Sequence, residues 1–584
     1  MTNQAQLSSK ILDSKNNGLL LGCIHDFYIK NFDEKQELFS ILAELHNSKK
    51  IDLFEEFIEL KNESGKRDFW MTRHILEDTL TMLDIKSIPE ALKCIEHLIK
   101  QGGSDMASHS ILVKFQQKLE SDEGLLEQVL EVFQKQPELY KDFLGSIITV
   151  GAKTDFDRFF ELNFKLLDSS DNEIKCRATY LLGQLNYPDE ATMITSLEKL
   201  RLLGEIESDD TILANIVHSY LTLLFKNPNL LDKKSDDFLN NVLTKSGKFT
   251  FHSISTVLFY NRNDQQNANV GCLELIRKIY KYLQTPLAAE KGTLHFIGMA
   301  FPSKNQAELF KDYLELIEFH IKNGVEIASF GIKHFIEGDS ELFQKVITRW
   351  LSSNSSEIPL ATSDFFVLND KRLIKPNFEL VESDFGYLNT FIARKAIGCL
   401  LAYPEVLLHF LIHLMELSNE EESTNIADMI FDFILLNYPN QKENIISCNT
   451  NLNQHNKVEL SKIVQEIENY LQNLKSIPEI KELYPPTENI IEHNRYQAET
   501  MARKLEDSNH KSVFSELFTP VMMLYGHKAI FRQENNQKIS RTEVEMVNHS
   551  VSTTMPRMLF IDKDNFEYNL KVLLVERYRN EANS

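Results

Sequence analysis

The sequence predicts a mainly α fold: an α-solenoid of antiparallel helix pairs, followed by a small β-containing module at the C-terminus. Three observations carry this expectation. Amphipathic runs of helical period follow one another with short breaks from Leu19 to about residue 475. Three of them, at 171–188, 391–404 and 425–439, carry small residues mid-face and stop at Tyr-Pro. The breaks also recur at intervals that suit one helix pair. Pro188 and Pro228 are 40 residues apart and Pro404 and Pro439 are 35 apart, against a period of roughly 34–47 residues for helix-pair repeats. Only 20 Gly and 15 Pro in 584 residues fit long helices with short connections.

Taken in order, residues 1–18 read as a mobile tail. Helices are expected at 19–30, 34–47, 50–62, 68–84, 88–101, 105–120 and 123–135, then at 137–150, 154–168, 172–186, 189–203 and 209–226. Asp122, Asp155, Asp171 and Asp209 stand where N-caps fall, since a carboxylate there accepts hydrogen bonds from the first free backbone N–H groups. After Asp171, Glu173 occupies the first turn, where the helix dipole favours an acid. Ile174, Ala178, Leu181, Leu182 and Leu185 then form one apolar stripe. Two stretches interrupt the pattern. Residues 244–270 have little helical periodicity, and residues 352–388 form a long aromatic-rich insertion. That insertion either packs Phe365, Phe366 and Phe378 back onto the array or presents them as a binding loop.

The polar stretch Asn444 to Asn456 reads as a linker, with helices expected at 457–474 and 488–507 around the Pro485-Pro486 boundary. Residues 485–584 then read as a helix plus a small β-rich module. ISRTEVEMVNHSVSTT alternates β-branched residues, and MLFIDKDNFEYNLKVLLVERY suggests strand, turn, strand, with Asp562 to Asn565 as the turn. Such a module would cap or dock on the array.

The runs that end in Tyr-Pro, with Lys175 and Arg177 near the position where such repeats favour Arg, resemble the inner helices of HEAT-like and armadillo-like repeats. Most other runs lack such a basic residue. The resemblance covers about residues 35–475. It implies stacked helix pairs with a curved binding surface and brings no catalytic residues.

The net charge is −22, and residues 485–584 hold 13 basic against 14 acidic side chains, so −21 belongs to residues 1–484. An acidic array repels phosphate backbones and anionic membranes, which argues against direct nucleic-acid binding. Six dispersed cysteines without a C-x-x-C pair suggest free thiols in a reducing compartment, hence a cytoplasmic protein. The most apolar stretch, Cys399 to Leu417, is broken by Pro404, Glu405, His409 and His413 and falls short of a membrane span.

Chemical motifs are sparse. Glu405, His409 and His413 share one helix face at four-residue spacing, which can bring two imidazoles to one metal. The acid of H-E-x-x-H and a third ligand are missing, so a solvent stripe is the plainer reading. His510, His527 and His549, the last beside Ser550, have no G-x-S-x-G elbow to support a nucleophile. Gly65-Lys66 and Gly247-Lys248 lack the remainder of a phosphate loop. No catalytic residue and no cofactor is expected.

The sequence therefore suggests a non-catalytic scaffold or adaptor that binds a protein partner, preferably a basic segment, on its acidic curved surface. Glu173, Glu405, Phe365 and Phe366 are its candidate contact residues. The alternatives are a sensor or regulatory component of a multi-protein bacterial complex, such as a defence system, and a metal-dependent enzyme subunit.

Overall fold

The computed structural model describes residues 3–63, 68–103, 105–261, 270–300, 307–327, 330–366, 372–381, 388–448, 452–478, 486–510, 528–535, 538–545 and 563–578. It is mainly helical, and it divides into two compact units. One comprises Met1–Val257 with Asn269–Leu275, the other Leu258–Ala268 with Ile276–Ser584.

In the first unit the helices form pairs, and the first members of successive pairs pack on one another in series. These are Phe69–Thr79, Ser110–Ser121, Leu144–Thr154, Asn172–Gln184 and Asp210–Lys226. The second members, Ile88–Gly102, Glu123–Lys135, Phe156–Leu166, Glu190–Ile206 and Lys233–Leu243, form the other layer. Leu92, Val129, Ile147, Leu182, Leu200 and Leu221 are at most 2% exposed and mark the continuous core between the layers. Polar bonds between repeats span one period. Arg158 pairs with Glu127, 31 positions away, and the Lys226 Nζ reaches the Gly183 carbonyl, 43 positions away. The same lysine donates to Leu185, so one ammonium satisfies two orphan carbonyls where Asn172–Gln184 ends. Close approach requires Gly183, because a Cβ there would lie 2.8 Å from Ser219 Cα.

Expected and observed helices coincide closely from Leu20–Lys30 to Asp210–Lys226, with two local differences. Residues 53–57 form one short helix, and the run expected at 137–150 starts later, as Leu144–Thr154 after a 3-10 turn. Two readings are corrected. The segment 1–18 is not a tail where described: Asn3–Asn16 is a helix, and Leu7 and Ile11, one turn apart, are buried. The stretch at 244–270 contains the helix Lys248–Tyr260. The Asp210 carboxylate, from the preceding repeat, accepts hydrogen bonds from the backbone N–H of Gly247 and Phe249 at 2.6 and 2.9 Å. A cap borrowed across repeats thus overrides weak local propensity.

The second unit continues with Lys291–Met299, Ala307–Lys322 and Ser340–Leu351. After the insertion Leu388–Leu400 pairs with Pro404–Glu416, and Glu420–Met429 packs on Gln454–Ser476, with Lys442–Cys448 between them in sequence. Glu420–Met429 is prolonged by a π-helical stretch, Ile430–Leu435. Gln454–Ser476 and Thr487–His510 follow.

The expected β-containing module is not supported. The described strands near the C-terminus are one antiparallel hairpin, Lys528–Asn535 with Lys538–Glu545, in a register that pairs Arg532 with Arg541. The segment read as strand, turn, strand contains a helix, Lys563–Val575, and Asp564 and Asn565 lie inside it. Phe566, Leu570 and Leu574 recur there every four residues. That spacing places them on one helical face, and the helix packs on Leu388–Leu400. Among the described residues, no helix is long and apolar enough to cross a membrane.

Candidate functional site

Four consecutive first helices of the first unit build a concave site. Carboxylates set where two of them start. Asp171 accepts hydrogen bonds from the backbone N–H of Glu173 and Ile174, and Asp209 from those of Thr211 and Ile212, all at 2.8–3.2 Å. The inward stripes, such as Ile174, Ala178 and Leu182, are fully buried. Helical geometry then turns Val113, Gln116, Thr149, Arg177, Tyr180, Gln184 and Asn215 to the other side. They line a half-open groove of about 590 Å³ across Ser110–Ser121, Leu144–Thr154, Asn172–Gln184 and Asp210–Lys226. Val113 is 58% exposed and Tyr180 is 40% exposed, so the groove presents apolar and aromatic surface directly to a ligand.

One rim of the groove is an ion network. Arg177 pairs with Asp142 and, at 3.0 Å, with Glu173, while Lys141 pairs with Glu173 and lies 3.7 Å from Asp171. The Lys141 hydrogen bond, reinforced by Arg177, holds the Glu173 carboxyl below its ordinary range. Lys175, 3.7 Å from Glu207, forms a second pair. Anions and cations therefore cancel locally, and the site is far closer to neutral than the chain.

Two side chains of reactive type beside the groove are held uncharged at neutral pH. Burial, together with Asp209 and Glu207, pushes the Cys176 thiol up to about 11, leaving it protonated and weakly nucleophilic at neutral pH. The Tyr180 ring lies 5.1 Å from the His218 ring, tilted by 37°. Burial lowers the His218 imidazole to about 4, against the opposing contact with Ser253, so it is neutral at pH 7. Beside the Arg177–Asp142 pair the lining offers an exposed aromatic ring, a valine and three amides, of which Gln116 already donates to Glu120 and Asn215 to the Thr211 carbonyl. Amides offer paired donors and acceptors of the kind a polypeptide backbone requires.

The sequence candidates fall in different places. Glu173 is on the groove rim, already engaged by two cations. Phe365 and Phe366 are core residues, 1% and 5% exposed, which corrects their reading as partner contacts. Phe365 packs 5.6 Å from both Phe343 and Trp350, and Phe366 packs 5.5 Å from Tyr403. Arg372 then closes over Phe343 and Phe366 and pairs with Glu337. An aromatic-rich insertion looks the same in sequence whether its rings point in or out.

Glu405, His409 and His413 do share one stripe of Pro404–Glu416, but the two imidazoles have separate partners. His409 Nδ1 lies 3.7 Å from the Cys448 sulfur, and His413 Nδ1 donates to the His409 carbonyl at 2.9 Å. Among the described residues, no group of three or more His, Cys, Asp or Glu could hold a metal ion. His527, His549 and the His510 side chain lie outside the described residues.

Sequence reasoning missed Tyr180, Gln184 and Asn215. The available signal was an aromatic ring on the polar side of an otherwise regular amphipathic helix. A second half-open cavity, about 510 Å³, lies between Glu190–Ile206 and Lys233–Leu243. Two of its cations already bind within the fold: Lys245 donates to the Glu205 and Glu207 carbonyls, and Arg201 to the Tyr220 hydroxyl.

No family model and no curated protein matches this chain. Among solved structures, the chain is similar to the crystal structure of an engineered protein at 14% identity. The match covers 82% of this chain and all of the other, with a TM-score of 0.18. A likeness that weak carries no argument about fold or function.

Proposed function

We propose that this chain is a non-catalytic helical-repeat scaffold or adaptor that binds a segment of a partner protein along the first-helix groove of its first unit. One observation carries the reading: four successive helices present a half-open groove that combines the exposed Val113 and Tyr180 with the amides of Gln116, Gln184 and Asn215 and the internally paired Arg177 and Asp142. The charge divides the work of recognition. A net charge of −22 attracts a basic segment at long range, while the locally neutralised groove makes the short-range contacts. The reading includes a cytoplasmic location, which free thiols at all six cysteines support.

The test is native co-purification from source cells, comparing the wild-type chain with a Val113→Asp, Tyr180→Asp variant. Both positions are exposed, so the variant should fold. A stoichiometric protein partner should co-purify with the wild type, and its recovery should drop at least tenfold with the variant. Unchanged recovery, or a stoichiometric metal or nucleotide with no protein partner, would overturn the reading.

A further inference from the structure

In the second unit, the first-helix layer is covered by the chain's own C-terminus. Lys563–Val575 packs on Leu388–Leu400, and the fit is specific at several points. A Cβ on Gly398 would lie 3.0 Å from Leu574 Cγ and 3.4 Å from the Leu570 carbonyl oxygen, so the glycine leaves room for the docked helix. Phe433 packs at a tilt 5.7 Å from Phe566, and Phe391 meets Tyr578 edge-on at 5.6 Å. The fully buried Lys395 donates through Nζ to the Leu574 carbonyl, so a cation sits at the negative end of the docked helix. Arg394 pairs with Glu576 at 2.7 Å, just past that end. The backbone N–H of Tyr578 donates to Asn354 Oδ1 at 2.6 Å.

The docked helix is nevertheless held differently from its host. Ten of the thirteen residues of Leu388–Leu400 are buried. Among the described residues of Lys563–Val575 none is, and Tyr568, Val572 and Val575 are 65%, 40% and 61% exposed. The host also packs on Pro404–Glu416, Glu420–Met429 and Ser340–Leu351, contacts that do not depend on the C-terminus. The docked segment follows the pattern of an amphipathic helix laid in a groove. Apolar anchors recur every four residues, and complementary charge gathers at one end.

We propose that the face formed by Leu388–Leu400 and Ile430–Leu435 is a helix-receiving surface, and that the C-terminal segment 563–578 is its resident, displaceable ligand. The face accepts another amphipathic helix of this pattern, with a carboxylate just past its C-terminal end, only after the resident releases. The proposal is independent of the groove in the first unit, because its test reads helix docking and not partner capture.

The probe is a fluorescent synthetic peptide with the sequence of residues 561–580, added to the full chain. Leu570→Asp with Leu574→Asp releases the resident helix and leaves every array residue unchanged. This variant should bind the peptide at least tenfold more tightly than the wild type, whose face is filled. Adding Gly398→Leu and Lys395→Met should remove that binding while circular dichroism stays unchanged. In the wild-type chain, backbone amides of 563–575 should exchange with deuterium at least tenfold faster than those of 388–400. Equal exchange of the two helices would make the C-terminal helix an integral part of the core and overturn the proposal. Failure of the released variant to bind the peptide would also overturn it. So would a wild-type dimer that dissociates in the released variant, because the resident would then belong to a second copy.

Discussion

Among the described residues, the first-helix layer presents an open groove in one unit and is covered by the C-terminal helix in the other. In the first unit the cations near the groove find acids within a repeat or one repeat away: Arg177 takes Asp142 and Glu173, and Lys141 takes Glu173 and Asp171. In the second unit Arg394 and Lys395 take Glu576 and the Leu574 carbonyl, 182 and 179 positions distant. The difference shows how a repeat array can acquire a long-range contact. A cation supplied by one helix and satisfied by a distant segment selects that segment as a cover. A cation satisfied by neighbouring repeats leaves the surface free.

If the two units are energetically distinct, a large core loss in one should stay within it. Phe365→Ala removes a fully buried ring from between Phe343 and Trp350. Deleting such a ring costs about 3–5 kcal/mol, through lost transfer energy and the cavity left behind. Hydrogen exchange should show protection falling across residues 340–400 and unchanged across 110–226. Equal loss in both regions would show that the two units open together, and the comparison would fail.

A smaller effect can be read by acid titration, because both units bury histidine: among the described residues, His46 and His218 in the first and His320 in the second. Burial lowers His218 in the first unit and His320 in the second to about 4, with Ser253 and the Leu283 backbone opposing only in part. The unfolded imidazole has a value near 6.5, so between 6.5 and 4 the unfolded state binds more protons. Stability is then present above about pH 6.5, falls with pH through that window and levels off below about 4. The full loss across that window is about 3 kcal/mol per histidine. Denaturation at pH 7 and pH 4.5 should show it. His218→Phe should flatten the response only in probes of the first unit, and His320→Phe only in probes of the second.

The residues explain why the layers were legible before the structure and the surfaces were not. Asp155, Asp171 and Asp209, followed by apolar stripes, announce helices through local rules. Those helices appear where the spacing puts them. Lys248–Tyr260 was hidden because its N-terminal hydrogen bonds go to Asp210, which no local window pairs with Gly247. Lys563–Val575 was hidden because a short apolar run bounded by turn-forming residues fits strand and helix equally well. Only docking on Gly398 and Phe433 separates the two. Exposure of Tyr180 and burial of Phe365 depend on which side of a packed layer each faces, so composition alone predicted neither.

The smallest expected effect is the most direct test of how the two surfaces differ. Arg177→Ala and Arg394→Ala are the same chemical change, and each removes a partly exposed guanidinium from a carboxylate partner. Each should cost no more than about 1 kcal/mol, and less at high salt, because solvent screens such pairs. The location of that loss should differ. In the array, Asp142 and Glu173 lie in adjacent repeats that stay packed through Ile147, Leu182 and their neighbours, and Lys141 still neutralises Glu173. Arg177→Ala should therefore spread its small loss over the repeats without exposing any one helix. Glu576 follows a helix with no fully buried residue among those described, so Arg394→Ala should concentrate its loss there. Exchange should quicken several-fold in 563–575 and remain unchanged in 404–435. If both variants behaved alike, the open and covered surfaces would be held by the same kind of contact. The C-terminal helix would then be one more repeat element and not a cover.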